Sequence, residues 1–222
     1  MSVNIAIDGP AGAGKSTIAK KIAKDKGYIY VDTGAMYRAM ALYVLRNKVN
    51  GNDEFSINKI TDTVKINIAY ENNEQIVYLF DENVNLLIRT EEVGNMASKV
   101  ATYPKVRLKL VELQRELAKN NNVVMDGRDI GTYVLPNAEV KIFLTASSAV
   151  RAARRYMELI EKGIPCKLNI IEEEIIMRDK QDSERKMAPL KQAEDAMLVD
   201  TSEMTIEEVV KAIEDCILRK VK

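Results

Sequence analysis

Gly9-Pro10-Ala11-Gly12-Ala13-Gly14-Lys15-Ser16, with Thr17 behind it, decides the fold of this chain. The stretch fits G-x-x-x-x-G-K-[ST], and its flanks supply the context that pattern needs. Before it, Val3-Asn4-Ile5-Ala6-Ile7 is short, apolar and partly β-branched, as a buried strand requires. After it, Ile18 and Ile22, with Ala19 and Ala23, share one helical face over residues 17–24, and Gly27 gives the stop. Strand, glycine loop and helix in that order predict successive backbone N–H groups turned inward on phosphate oxygens. The helix N-terminus adds partial positive charge there. Lys15 then reaches the β- and γ-phosphates, and the Ser16 hydroxyl ligates Mg²⁺. The competing reading, a glycine-rich turn with a chance Lys-Ser, leaves the strand and helix unexplained. The stretch predicts binding of a nucleoside triphosphate.

Composition narrows the classes. A chain of 222 residues, 46% hydrophobic and 30% charged, suits one globular domain with an insertion, or one large and one small domain. The 33 basic residues balance 33 acidic ones, so polymeric nucleic acid is not an expected partner. Cys166 and Cys216 show no metal or redox spacing and read as packing residues in a chain without a secretory segment. No apolar run reaches membrane-spanning length, and a cytoplasmic protein is expected. There is no histidine, so the chemistry does without imidazole. Phosphoryl transfer tolerates this, because positioning and charge neutralisation carry most of its catalysis.

Beyond Gly27, residues 28–31 read as a second buried strand. A helix from 35 to about 47 follows, capped by Asp32 or Thr33 with Tyr37, Met40, Ala41, Val44 and Leu45 inward. Ser56 is expected to cap a short helical stretch after the turn cluster at 50–53. The texture then changes. Residues 64–70 alternate with period two, 71–74 form a hairpin turn, 75–80 continue, and 84–88 follow a polar 81–83. This predicts a small antiparallel meander inserted in a βα-alternating chain. Helices at 91–102 and 105–120 break at Tyr103-Pro104. Strands follow at 123–125, 140–144 and 197–200, with helices to 162, from 169 to about 186, and after Thr205, where Thr205 and Glu208 form a capping box. The fold expected is α/β, a doubly wound five-stranded parallel sheet with a small antiparallel β insertion. Residues 1–62 and 91–222 are expected to form the core. Residues 63–90 form the insertion.

Strand ends carry the chemistry in such a sheet. Asp126-Gly127-Arg128-Asp129 closes an apolar strand and places a carboxylate and a guanidinium in the ligand crevice, Asp126 standing where a Mg²⁺-shell acid belongs. Asp200 reads equally well as a turn former. Arg151, Arg154 and Arg155 share one helical face, as do Arg178, Asp182 and Arg185. Each set alone describes a solvated surface. Beside a phosphate loop, two arginine faces suit a clamp for donor, acceptor and transferring phosphoryl group. A GTPase needs N-K-x-D and D-x-x-G, and Asn47-Lys48-Val49-Asn50 and Asn58-Lys59-Ile60-Thr61 both lack the final Asp.

The motifs Ile7-Asp8 through Thr17, Asp32-Thr33-Gly34-Ala35-Met36-Tyr37-Arg38, Asp126-Gly127-Arg128-Asp129-Ile130-Gly131-Thr132, Arg151-Ala152-Ala153-Arg154-Arg155 and Arg178-Asp179 to Asp182-Ser183 run nearly end to end. Together they resemble the bacterial cytidylate kinases, the (d)CMP kinases of the nucleoside monophosphate kinase group. That resemblance implies transfer from ATP with Mg²⁺ to CMP or dCMP by a monomer, with the insertion covering the acceptor. It makes the core a P-loop kinase core with a closing helical lid at about 151–186, and puts ATP on Gly9, Pro10, Ala11, Gly12, Ala13, Gly14, Lys15, Ser16 and Thr17, with Arg151, Arg154 and Arg155 in that lid. It puts Thr33 and Arg38 at the monophosphate side, Ser98, Arg107 and Asp129 at the cytosine, Arg128 and Arg185 at the acceptor phosphate, and Arg178 and Asp182 at the ribose. Lys15, Arg128, Arg155, Arg178 and Arg185 are the charges expected to serve catalysis, with Mg²⁺ on Ser16 and, through water, Asp126. The alternatives are another acceptor, such as UMP or a small metabolite, or a nucleotide-binding module without chemistry.

Overall fold

The computed structural model describes residues 2–71 and 74–221. Its larger sheet has five strands in the order β2-β6-β1-β7-β8, formed by Asn4–Asp8 (β1), Ile29–Asp32 (β2), Val123–Gly127 (β6), Val140–Thr145 (β7) and Met197–Asp200 (β8). β1 and β7 pair in parallel from Ile5 opposite Val140 to Asp8 opposite Phe143, and β7 and β8 pair in parallel as well. Non-consecutive neighbours require helical crossovers, which is the doubly wound α/β plan expected from the alternation of apolar strands and amphipathic helices. The order reverses at β1, between β6 and β7, and a ligand crevice opens at the carboxyl ends of strands at such a point.

The chain divides into two compact units, residues 3–28 with 124–221, and residues 29–123. In the first, α1 (Lys15–Lys26) packs on α8 (Ile206–Lys220), with Ile18, Ile22, Ile213 and Ile217 buried. Helix ends follow local rules. Gly27 closes α1 in the left-handed conformation at φ 67°, and Thr205 with Glu208 makes the reciprocal capping box of α8. α6 (Ser148–Glu161) and α7 (Leu168–Glu184) form a hairpin with an apolar cluster of its own. Ala152, Ile171 and Ile175 are its buried members, with Tyr156, Leu159 and Cys166 packed against them.

In the second unit, α2 (Thr33–Arg46), α3 (Glu54–Thr63), α4 (Glu91–Val100) and α5 (Pro104–Asn120) bury Met36, Met40, Ile57, Val100 and Leu110. Pro104 opens α5 at its first turn, where a missing N–H costs nothing. Two expectations are corrected here, and one open choice is decided. The cap of α3 is Asp53, whose carboxylate accepts the Ser56 N–H at 3.1 Å, so Ser56 contributes a backbone donor three residues in. The cap of α2 is Asp32, accepting from Ala35 N–H at 2.9 Å, and Thr33 is the first helical residue. The antiparallel meander exists, β3 (Ile66–Glu71) on β4 (Glu74–Leu79), but its third strand is the polar pair Glu82–Asn83 (β5). Phe80 turns at φ 55° and brings the pair back onto β4. Residues 84–88, expected as a strand, instead lead into the 3-10 turn Leu87–Arg89, where the Ile88 N–H donates to the Val84 carbonyl. The expected hairpin residues Asn72 and Asn73 lie outside the described residues.

Candidate active site

The chain leaves β1 through Gly9, at φ 147°, where a Cβ would stand 1.9 Å from the Leu144 carbonyl oxygen of β7. Only glycine lets the loop pass that strand end. At the far side Gly14, at φ 86°, is the N-cap of α1 and offers no side-chain acceptor to the helix's first amides. Helix N-terminal amides in that situation suit a phosphate. Lys15 is buried, and its ammonium donates to the Pro10 carbonyl at 2.6 Å. Burial holds its pKa well below the usual lysine range and Arg128 adds to the fall, against the opposing pull of Asp126, Asp8 and Asp182.

The 126–129 segment stands beside this loop. The Ser16 hydroxyl donates to the Asp126 carboxylate at 2.8 Å, which brings together the two oxygens expected near the metal. Arg128 donates through Nε to Asp182 of α7 at 2.9 Å, and Arg185 donates to Asp129 at 3.0 Å and to the Ala188 carbonyl at 2.6 Å. Both members of the Arg185–Asp129 pair are buried. Burial pushes the Asp182 carboxyl upward, but the guanidiniums of Arg128, Arg178 and Arg185 outweigh it and hold the group below its ordinary range. For Arg128 burial pulls downward, and Asp182 with Asp126 and Asp179 outweighs that, keeping the guanidinium charged. Carboxylates thus hold these arginines in place, an arrangement that would lower the ordering cost of binding an anion.

The arginines of α6 separate in role. Arg151 is buried and donates to the Ala146 carbonyl at 2.9 Å, the Ala11 carbonyl of the phosphate loop at 3.0 Å and Asp179 at 2.6 Å. Arg154 donates to the hydroxyl and carbonyl oxygens of Thr201, at 3.1 and 2.7 Å. Arg155 pairs with Glu158 at 2.8 Å on the exposed side of the helix. Asp200 binds the Ser202 N–H and hydroxyl, which is turn chemistry.

In the second unit, Thr33 is buried at the start of α2, and Arg38 donates to the Ile88 carbonyl at 3.2 Å. A Cβ on Gly94 would stand 3.0 Å from that guanidinium, so a side chain there would press on Arg38. Arg107, 1% exposed, donates to the Ala101 carbonyl and lies over the Tyr37 ring at 5.6 Å. Ser98 is half-buried on α4. Sequence reasoning missed Asp8 and Asp179. The available signal for Asp8 was a lone acid closing a buried apolar strand; for Asp179 it was an acid inside a motif read for its neighbours.

A phosphate loop on a doubly wound parallel sheet, facing a hydroxyl–carboxylate pair and preset arginines, defines a P-loop phosphotransferase. The fold is similar to that of a shikimate kinase from Acinetobacter baumannii in complex with shikimate, at a TM-score of 0.51 and 15% identity over 100% of this chain and 97% of that one. The family model described as Cytidylate kinase matches residues 5–219. Cytidylate kinases of Geobacillus sp. (strain WCH70) and Lactobacillus gasseri are each 51% identical over 220 residues, covering 99% of this chain and 98% and 96% of theirs. The chain belongs to the cytidylate kinase family. Among the described residues no helix is long and apolar enough to cross a membrane.

Proposed function

We propose that this protein transfers the γ-phosphoryl group of ATP to CMP and dCMP, giving ADP with CDP or dCDP, as a cytoplasmic monomer. One observation carries the reading. A chain matched over residues 5–219 by the cytidylate kinase family holds Ser16 on Asp126, Arg128 on Asp182 and Arg185 on Asp129, charge arrayed for two phosphates. The attacking acceptor oxygen is already anionic, so in-line displacement needs no strong general base, in keeping with a chain without histidine. Ser16 and Asp126 supply hard oxygen donors 2.8 Å apart, which suits Mg²⁺ held by few protein ligands and completed by substrate phosphates. When bound with ATP, Mg²⁺ would offset phosphate charge.

Lys15 and the loop amides hold the donor phosphates, with Arg151, Arg154 and Arg155 on the same side. Arg128 and Arg185 hold the acceptor phosphate, while Arg178 and Asp182 take the ribose. Asp129 accepts from the exocyclic amine of cytosine, where uracil would present a carbonyl to a carboxylate, a mismatch that sites of this kind reject strongly. For Thr33, Arg38, Ser98 and Arg107, and for the acceptor-covering role of residues 63–90, the family resemblance is the support. The test is ADP release with ATP and Mg²⁺ against CMP, dCMP, UMP, AMP and GMP in turn. Turnover with CMP and dCMP far above UMP is expected. Equal use of UMP overturns the base assignment, and no turnover with any of the five overturns the acceptor class.

A further inference from the structure

Asp8 has no part in the scheme above. It is the last residue of β1, one position before the phosphate loop, and the only acid of that strand. It is 4% exposed, and both carboxylate oxygens are engaged. Oδ1 accepts the Ile130 N–H at 2.7 Å and Oδ2 the Gly131 N–H at 2.7 Å. These amides open the π-helical turn Ile130–Val134, immediately after Asp129. Residue 131 is a glycine, which leaves room for the Lys141 side chain beside the Asp8 carboxylate. A Cβ there would stand 3.1 Å from the Lys141 side chain and 3.4 Å from Asp8 Oδ2.

A buried carboxylate is a costly way to fill a strand end. Burial pushes the group up to about 6, with Asp129 adding to the rise, while the two amides and Lys15 pull it back down. What the carboxylate offers in return is a two-point grip. An apolar residue would leave two buried N–H groups unpaired, and a neutral amide would accept from one and turn its own NH₂ on the other. Gripping successive amides fixes both the distance and the register of the segment they belong to. That segment includes Asp126, which binds Ser16, and Arg128 and Asp129, which bind Asp182 and Arg185.

We propose that Asp8 is a positioning residue for phosphoryl transfer, locking residues 126–131 to the mouth of the phosphate loop so that Arg128 and Asp129 meet the acceptor in register with Lys15 and Ser16. This rests on the acceptor reading above. The experiment compares wild type with Asp8→Asn in the full chain by two readouts. The first needs no activity: hydrogen exchange of the Ile130 and Gly131 amides, followed by NMR without nucleotide. Exchange in the variant is expected to rise at least about tenfold at these amides, with the buried amides of β7 unchanged. The second is steady-state kinetics, in which KM for CMP is expected to rise by about tenfold, beyond any change in KM for ATP. If Asp8→Asn folds poorly, Asp8→Ser, which keeps an acceptor oxygen without the charge, takes its place in both measurements. Unchanged exchange at Ile130 and Gly131 overturns the grip. An unchanged KM for CMP, with kcat lowered only by the unfolded fraction, leaves Asp8 a structural residue and overturns the positioning role. If wild type fails to use CMP, the acceptor reading falls while the exchange result still decides the grip.

Discussion

Replacing Arg151 by Met tests whether this arginine is part of the frame of the phosphate loop. Methionine retains an apolar stem and removes the guanidinium, so the Ala11 and Ala146 carbonyls and the Asp179 carboxylate lose a shared donor. Breaking a buried ion pair from one side costs about 3–5 kcal/mol. The Asp179 side chain is 25% exposed, so water compensates part of its loss, which puts the expected cost near the lower end, about 3 kcal/mol. In a chain of this size each kcal/mol moves the melting midpoint by roughly 2–4 °C, so Arg151→Met should melt about 6–12 °C lower. The control is Arg155→Met on the same helix. Its partner Glu158 is about half exposed, and a pair of that kind contributes at most about 1 kcal/mol. Calorimetric melting without nucleotide separates the two readings. Variants that melt within a couple of degrees of each other, with Arg151→Met losing ATP affinity alone, would refute the framing role and leave Arg151 a donor-binding residue.

Gly9→Ala should yield little folded protein, because its methyl would collide with a backbone oxygen of β7 1.9 Å away; soluble expression and circular dichroism check this. Thr205→Ala removes one half of a capping box and is expected to cost about 1 kcal/mol, read as a fall of the urea midpoint at unchanged slope. The stability-versus-pH curve carries two opposite contributions. Asp182, held low by its arginines, stabilises the fold above the ordinary carboxylate range and loses that as pH falls. Asp8, raised to about 6 by burial with Asp129 adding to the rise, contributes stability that is complete below the ordinary aspartate value and is lost as pH rises through 6. The stability of wild type relative to Asp8→Asn should therefore be about 2 kcal/mol greater near pH 4.5 than near pH 7.5, measured by denaturant titration at both. A pH-independent difference would count against the raised value.

Features whose cause lies within a few residues were legible in the sequence. Gly27 ends α1, Tyr103-Pro104 parts α4 from α5, and Thr205 and Glu208 cap α8, each set by backbone sterics or a side chain reaching its own turn, while Met197–Asp200 reads as β8 from its short, mostly apolar run. Ser16 and Asp126 were expected near one Mg²⁺, the first from the phosphate loop and the second from a strand end, but their direct hydrogen bond was not. The grip of Asp8 was not legible, since its partners are backbone amides 122 and 123 residues away and an amide leaves no mark on the residue type that carries it. Arg151 shows the same limit. Helical spacing grouped it with Arg154 and Arg155, but spacing reports a shared face and says nothing of what packs on it. The third strand was misjudged because the mostly apolar run 84–88 reads as a strand more readily than a polar pair, although pairing on an edge follows the turn at Phe80 and not side-chain polarity.

The hairpin of α6 and α7 has a further consequence, for inheritance. Arg151 and Asp179 clasp it at the base, close to the phosphate loop, while its own apolar cluster spreads toward the bend at Gly163. A part that closes its own interior and is fastened at one end can change at the other without disturbing the rest. Mutations and length changes around residues 162–165 should therefore accumulate freely among descendants of this gene, while the clasp and the strand-end acids drift together or not at all.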